Sequence, residues 1–366
     1  MNELESLKSK RNNWLLAGNT EIKKEKNSFF SEIVQLERMI LVLKDIEEIG
    51  KMKILSFKLK DNGELPIFKA GQYISITVKI GDKYYTKPYS LLSFLSTDND
   101  LVYKIVVDKD GEEIDKYLYD LKLGKMVVSS IPTGDFYYNR IRDAKNVIAI
   151  VSDKGIVPIL AMVEALILGI ESFNLTIFYS AKNEEEILFK ERLDDLVNKT
   201  SRVKVYYVLT AEVKDGYLNG YVTLDRIKEQ MVGISSIFIS GSEGLLKYLD
   251  KELEGLELPK KFIRYESFLP KCNIRKVQEF NLTIFINSEK YETKCYNNKT
   301  ILNSILNAGI YVPSKCQNGS CGLCFSELVK GKVKVINDKR DSVSKKYNYI
   351  HPCSTYPLSD IEIIVR

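Results

Sequence analysis

The sequence predicts a multidomain chain: an N-terminal helical extension, an antiparallel β-barrel, an α/β domain with a parallel sheet, and a small strand-rich domain around one helix. Three observations carry that prediction. Short strand-like runs separated by turn residues fill 38 to about 138, continuous β-branched strands alternate with helical patterns from 143 to 268, and Cys316, Cys321, Cys324 and Cys353 gather near the end.

The expected boundaries are 1–37 for the extension, 38–142 for the barrel, 143–268 for the α/β domain, 269–278 for a linker and 279–366 for the last domain. In the extension, one helix runs to Leu16 and stops at Gly18, and Thr20 caps a second that carries Ile22, Phe29, Phe30, Ile33 and Leu36. The barrel strands are separated by turns such as Asp61-Asn62-Gly63, and within one of them Ile74, Ile76 and Val78 alternate with Tyr73, Ser75 and Thr77. The α/β rhythm begins with the strand Val147 to Val151 and a helix that Pro158 is suited to open. It continues through LTIFYS, a helix over EEILFKERLDDLV, VKVYYVLT, a helix at Leu224 to Gln230, SIFIS and the helix EGLLKYLDKEL. The last domain places FNLTIFI, KYETKCY, VKVI and IEIIV around a helix from Ile301 to Ala308, ended by Gly309.

Composition limits the chemistry. At 366 residues the chain is long enough for two or three domains. Its 54 Lys and Arg against 49 Asp and Glu lie in mixed-sign clusters, so nucleic acid is not implied. The single histidine, His351, excludes a Rieske centre and zinc sites with two or three His. Six cysteines are too sparse for a disulfide scaffold, and the first residues lack the apolar core of a signal peptide, which predicts a reducing, cytoplasmic setting. The longest apolar stretch, Ile156 to Ile170, is interrupted by Glu164 and is too short to span a bilayer, so no membrane insertion is expected.

Cys316, Cys321 and Cys324, followed after 28 residues by Cys353, have the C-x4-C-x2-C…C spacing of a plant-type 2Fe-2S ligand set. Gly319 and Gly322 remove side chains that would obstruct a tightly curled loop. A four-Cys zinc site is the alternative, although zinc knuckles favour paired C-x2-C halves and only one such pair exists here. Cys272 and Cys295 lack ligand spacing and are expected to be buried or spare thiols.

With its capped helix and the loop VPSKCQNGSCGLC, the tail resembles a plant-type ferredoxin domain of β-grasp fold, which implies Cys316, Cys321, Cys324 and Cys353 as cluster ligands. The barrel followed by an α/β domain resembles the ferredoxin-NADP reductase-like flavoproteins. Lys87-Pro88-Tyr89-Ser90 is similar to that family's R-x-Y-S flavin motif, Ser152 to Pro158 to its G-G-T-G-I-T-P loop, Ser240-Gly241-Ser242 to its C-G-P, and Tyr265-Glu266-Ser267-Phe268 to the end that closes over the flavin. The domain order is that of the phthalate dioxygenase reductase type and of the reductase serving the hybrid cluster protein. By this resemblance Tyr89 packs against the flavin, Ser90 bonds near its N5, Lys87 faces a flavin phosphate, and Glu266 and Phe268 act beside them. Pro88, Gly134, Gly155, Pro158 and Gly241 complete the implied cofactor contacts. The chain departs at Lys87 for Arg, at Asp115 where the family has Ser near the flavin phosphate, and at Ser152-Asp153 for Gly-Gly.

The resemblance implies an electron-transfer oxidoreductase that passes electrons from NADH or NADPH through FAD, or FMN, to a 2Fe-2S cluster and on to a protein partner. The alternative is an electron-transfer subunit with a degenerate nicotinamide site that exchanges electrons only with proteins. Residues 1–35, with Trp14, Phe29 and Phe30, are expected either to dock a partner or second subunit or to pack on the chain's own barrel.

Overall fold

The computed structural model describes residues 38–60, 63–92, 101–266, 276–286, 288–336, 338 and 340–365. The helical extension, most of the expected linker, Cys272 and Phe268 lie outside the described residues.

The first sheet contains β1 (Arg38–Ile49), β2 (Met52–Leu59), β3 (Tyr73–Ile80), β4 (Lys83–Ser90), β5 (Tyr103–Asp108) and, after the helix α1 (Glu113–Tyr119), β6 (Met126–Ser130). Its order is β4-β3-β6-β1-β2-β5, antiparallel at every pairing. The sheet curls until its edges approach, and the Leu92 N–H just after β4 donates to the Lys104 carbonyl of β5 at 2.8 Å. The expected alternation on β3 is realised as Ile74 and Ile76 in the core, with Tyr73 and Ser75 on the opposite face, also covered. The helix α1 was not anticipated, although Ile114, Leu118 and Leu121 recur at helical spacing and all three are buried.

The second sheet is parallel throughout: β7 (Asn146–Ser152), β8 (Asn174–Ala181), β9 (Val203–Leu209), β10 (Leu218–Asn219), β11 (Ser235–Ser240) and β12 (Ile263–Tyr265), in the order β10-β9-β8-β7-β11-β12. Its helices are α2 (Ile156–Ile167), α3 (Lys190–Val197), α4 (Leu224–Gln230) and α5 (Glu243–Glu252). Covered on both faces, β7 and β11 are apolar or small along their buried positions, as central parallel strands need. Two expectations are corrected. Pro158 does not open α2 but occupies its third position, because a 3-10 turn at Asp153–Gly155 leads in; the first turn still tolerates its missing N–H. The single helix expected over EEILFKERLDDLV is broken: Asn183 caps a 3-10 turn at Glu184–Glu186, and Phe189, buried with φ 57°, redirects the chain into α3.

The last sheet, in the order β14-β13-β19-β15-β17, holds β13 (Glu279–Ile286), β14 (Glu289–Tyr296), β15 (Ser326–Lys330), β17 (Tyr349–Ile350) and β19 (Ile361–Val365). The pair β16 (Val333–Val335) and β18 (Thr355–Pro357) stands apart. The helix α6 (Ile301–Asn307), capped by the Thr300 hydroxyl, buries Ile301, Leu302, Ile305 and Leu306 in this domain's core. Cys295 is buried in the same core.

Packing between the sheets fixes the site. One apolar core runs from the barrel into the parallel sheet, with Phe136 edge-on to Phe238 at 5.2 Å and Tyr138 stacked on Phe173 at 4.2 Å, contacts worth about 0.5–1.5 kcal/mol each beyond their buried area. The last domain meets the barrel at the β3–β4 hairpin, where Tyr84 packs on Tyr311 at 5.4 Å and the Arg38 guanidinium lies 4.6 Å from the same ring. No described helix is long and apolar enough to cross a membrane.

Candidate cofactor sites

In the parallel sheet the strand order turns at β7 and β11, and the carboxyl ends of adjacent strands diverge there to leave a crevice. A cavity of about 760 Å³ occupies that crevice, with the barrel as its opposite wall. From the barrel come Lys87, Pro88, Tyr89 and Ser90 at the end of β4, and Asp115 from α1; from the α/β domain come Gly155, Gly241 and Glu266. Gly134 and Pro158 do not line it: Gly134 lies against the Tyr73 ring, and Pro158 is buried within α2.

The two loops from the strand ends touch directly. A Cβ on Gly155 would lie 2.2 Å from the Ser240 carbonyl oxygen, so only glycine allows the β7–α2 turn to close on β11. The Ser152 hydroxyl accepts the Ser242 N–H at 3.0 Å across the same gap. Deeper in, Glu266 accepts hydrogen bonds from both the Ser90 and the Ser240 hydroxyls, tying barrel to sheet. Burial raises the Glu266 carboxyl to about 7, against the opposing pull of those two hydroxyls.

The charge pattern departs from the expectation for Lys87. Its ammonium is bonded to Asp115, a residue only 2% exposed, and Glu112 lies 3.9 Å away. Asp115 also accepts from the Tyr89 hydroxyl at 3.0 Å and from the Glu112 N–H at 2.9 Å, closing the first turn of α1. Burial and the Asp115 charge keep the Tyr89 phenol protonated. The other cavity cations are engaged too, Lys154 with Asp108 at 3.0 Å and Lys247 with Glu243 at 2.5 Å. Pro88, Tyr89 and Ser90 would offer the ring end of a flavin an aromatic and hydroxyl wall, whereas each lysine that a phosphate would meet already holds a carboxylate.

The cysteine loop curls through three left-handed positions, Gln317 at φ 56° and Gly319 and Gly322 at φ 75°. The Cys316 sulfur accepts N–H bonds from Ser320 at 3.3 Å and Cys321 at 3.4 Å, and Cys353 accepts one from Gly319 at 3.3 Å. The thiols lie close together around the loop, Cys316 beside Cys321 and Cys353, and Cys353 also beside Cys324. Bonds from Cys321 and Cys353 together with the loop N–H groups hold the Cys316 thiol far below its ordinary range. No described set of three His, Cys, Asp or Glu side chains closes on a single metal ion. Two adjacent thiol pairs with backbone N–H groups aimed at sulfur suit a two-iron cluster, whose ligands need not converge on one point. Cys316, Cys324 and Cys353 are each 2% exposed while Cys321 is exposed, and the cradle thus has one outward edge.

His351 is 9% exposed, and burial lowers its pKa. Its carbonyl accepts from Ser354 N–H at 2.9 Å and Thr355 hydroxyl at 2.8 Å, an anchor for the turn that carries Cys353. Sequence reasoning missed Tyr73 as part of the site. Its hydroxyl donates to the Cys316 carbonyl at 3.1 Å, a bond between residues 243 apart.

Comparison with known proteins gives three domain matches in one order: an oxidoreductase FAD-binding domain over 41–138, an oxidoreductase NAD-binding domain over 153–251, and a 2Fe-2S iron-sulfur cluster binding domain over 284–358. The chain is 31% identical over 240 residues to a flavohemoprotein of Bacillus subtilis (strain 168), covering 62% of this chain and 59% of that protein's length. It is 22% identical over 318 residues to one of the subunits of 1,2-phenylacetyl-CoA epoxidase of Escherichia coli (strain K12), covering 81% of this chain and 88% of the relative. Among solved structures, phthalate dioxygenase reductase, described as a modular structure for electron transfer from pyridine nucleotides to [2Fe-2S], shares the fold with TM-score 0.64 and 21% identity, over 90% of this chain and 98% of that one. The two crevice-forming domains and the cysteine cradle thus have counterparts in the same succession: the chain carries oxidoreductase FAD-binding and NAD-binding domains in ferredoxin-NADP reductase-like order, followed by a C-terminal 2Fe-2S iron-sulfur cluster binding domain.

Proposed function

We propose that the chain takes electrons from NADH or NADPH at the crevice and delivers them one at a time, through Cys316, Cys321, Cys324 and Cys353, to a redox partner protein. The observation that carries this reading is the hydrogen bond from Tyr73 to Cys316, which brings the barrel wall of the crevice and the cysteine cradle together in one chain. A bound flavin, FAD or FMN, supplies the conversion of hydride transfer into single-electron steps. Tyr89 and Pro88 offer the ring wall, and the Ser90 hydroxyl can donate or accept a bond while Glu266 behind it holds or releases a proton near neutral pH. The cradle's four sulfurs would hold the irons, with Cys321 on the side a partner would approach.

Phthalate dioxygenase reductase, with the same fold and modular electron transfer in its description, supports this reading. A reducing, cytoplasmic compartment belongs to it, as do residues 1–35 as a docking element for the partner or a second copy of the chain, to be tested by deleting them and measuring oligomeric size and partner reduction. Anaerobic stopped-flow with each nicotinamide tests the main claim: flavin bleaching by at least one is expected, and bleaching by neither would refute it. The second reading, a protein that exchanges electrons only with other proteins, is favoured by one observation: the cavity's three lysines are each paired with a carboxylate while Asp153 and Asp250 also line it. A dinucleotide pyrophosphate there gains less from those cations than it would from free ones.

A further inference from the structure

On β3 and β4, Tyr73 stands directly opposite Ser90 and Ser75 opposite Pro88, so these side chains share one face of the hairpin. Opposed Cβ atoms in such a pair are about 4.5–5.5 Å apart, which sets the Tyr73 ring immediately behind the cavity wall. Its hydroxyl donates to the Cys316 carbonyl at 3.1 Å, and the Ser75 hydroxyl donates to the preceding carbonyl, that of Lys315. Two residues on one strand face thereby hold two consecutive carbonyls of the cysteine loop.

The ring is fixed from the other side as well. Tyr73 exchanges both backbone hydrogen bonds with Thr133, each at 2.9 Å. At Gly134, φ is 110° and a Cβ would lie 2.7 Å from the ring, so glycine leaves room for the aromatic rather than for a ligand. Tyr73 is 5% exposed, and its hydroxyl ends at the cysteine loop. From Ser90 in the cavity wall to Cys316 in the cradle, the protein is continuous through the Tyr73 side chain.

We propose that Tyr73 bridges the two cofactor sites, a positioning residue that seats Cys316 behind Ser90 and carries the electron's route from the cavity to the cluster. The proposal rests on the flavin-to-cluster reading above. In the step it serves, one electron leaves the reduced flavin and one ferric iron becomes ferrous; no covalent bond forms between the sites, and protons given up by the flavin go to solvent.

The test uses the holoprotein and the variants Tyr73→Phe and Ser75→Ala. Each loses one hydrogen bond to the cysteine loop, but only the first loses the bond to a cysteine of the cradle, Cys316, and removes the phenol hydroxyl opposite Ser90. The flavin is reduced in two ways, by NADH and by illumination with EDTA, and cluster reduction is followed by freeze-quench EPR alongside a potentiometric titration of the cluster. In Tyr73→Phe, cluster reduction should slow about fivefold, the effect of a barrier raised by about 1 kcal/mol, and the cluster potential should fall as the phenol dipole is removed. Flavin reduction by NADH should be unchanged, and Ser75→Ala should keep rate and potential close to wild type. Wild-type rate and potential in Tyr73→Phe would overturn the proposal, as would equal slowing in both variants, which marks a clamp alone. Failure of both NADH and NADPH to reduce the wild-type flavin, with light still feeding the cluster, would overturn only the nicotinamide reading and leave Tyr73 to be judged on the photoreduced rates.

Discussion

Replacing Glu266 by Gln should change the pH dependence of folding in a direction fixed by where the carboxyl sits. Glu266 is buried between Ser90 and Ser240, and burial raises its pKa from 4.5 to about 7. Below pH 4.5 the group is protonated in both folded and unfolded chains, so its contribution to stability is fully present. As pH rises the unfolded chain releases its proton first, and stability falls until the folded carboxyl ionises near pH 7. The interval from 4.5 to about 7, at about 1.4 kcal/mol per pH unit, amounts to about 3 kcal/mol. Glutamine can bond the same two hydroxyls and carries no charge at any of these pH values. Urea unfolding of apoprotein, followed by circular dichroism, should show wild type and Glu266→Gln alike at pH 4.5 and the variant ahead by about 3 kcal/mol at pH 8. Parallel stability curves across that range would refute the placement of an ionisable, desolvated carboxyl at the junction of barrel and sheet.

Three further outcomes follow from the same geometry. Asp115→Asn removes the carboxylate that engages Lys87, so the preference for FMN over riboflavin in fluorescence titrations should rise about tenfold, the worth of one charge-assisted bond of about 1.5–3 kcal/mol made partly at the expense of solvent; an unchanged ratio would show that Lys87 does not meet the phosphate. Cys353→Ser should abolish the 2Fe-2S absorbance and leave the flavin band, and a retained cluster spectrum would remove Cys353 from the ligand set. Gly155→Ala drives a Cβ into the Ser240 carbonyl and should cost roughly 1–3 kcal/mol, seen as a lower Tm of the apoprotein; a wild-type Tm would mean that the two loops part without penalty.

The order of architectures was legible because strand and helix patterns differ in period and in burial. The runs at Val147 to Val151 and Ser235 to Ser240 are apolar or small at every position, as strands covered on both faces must be, and β3 alternates because its two faces meet different neighbours. The cysteine spacing was legible because a curled loop imposes it locally. Less visible was α1, seven residues inside a strand-rich region, where turn signals on either side masked the period of Ile114, Leu118 and Leu121. The break at Phe189 was hidden because a left-handed aromatic residue is stabilised by burial in the tertiary core, not by local propensity. Long-range partners were out of reach in principle: nothing near Lys87 in sequence says that Asp115 will hold its ammonium, and nothing near Tyr73 says that its hydroxyl will find Cys316. Gly134 shows the converse: the resemblance implied a cofactor contact there, while the structure sets the Tyr73 ring against it.

The central claim is that one chain couples a nicotinamide-accessible flavin crevice to a four-cysteine cluster. The most direct measurement is the low-temperature EPR spectrum of anaerobically purified protein after addition of NADH or NADPH in slight deficit. The account predicts flavin bleaching together with the signal of a reduced 2Fe-2S cluster with at least one nicotinamide. A protein whose flavin and cluster are both reduced by dithionite but by neither nicotinamide would contradict it.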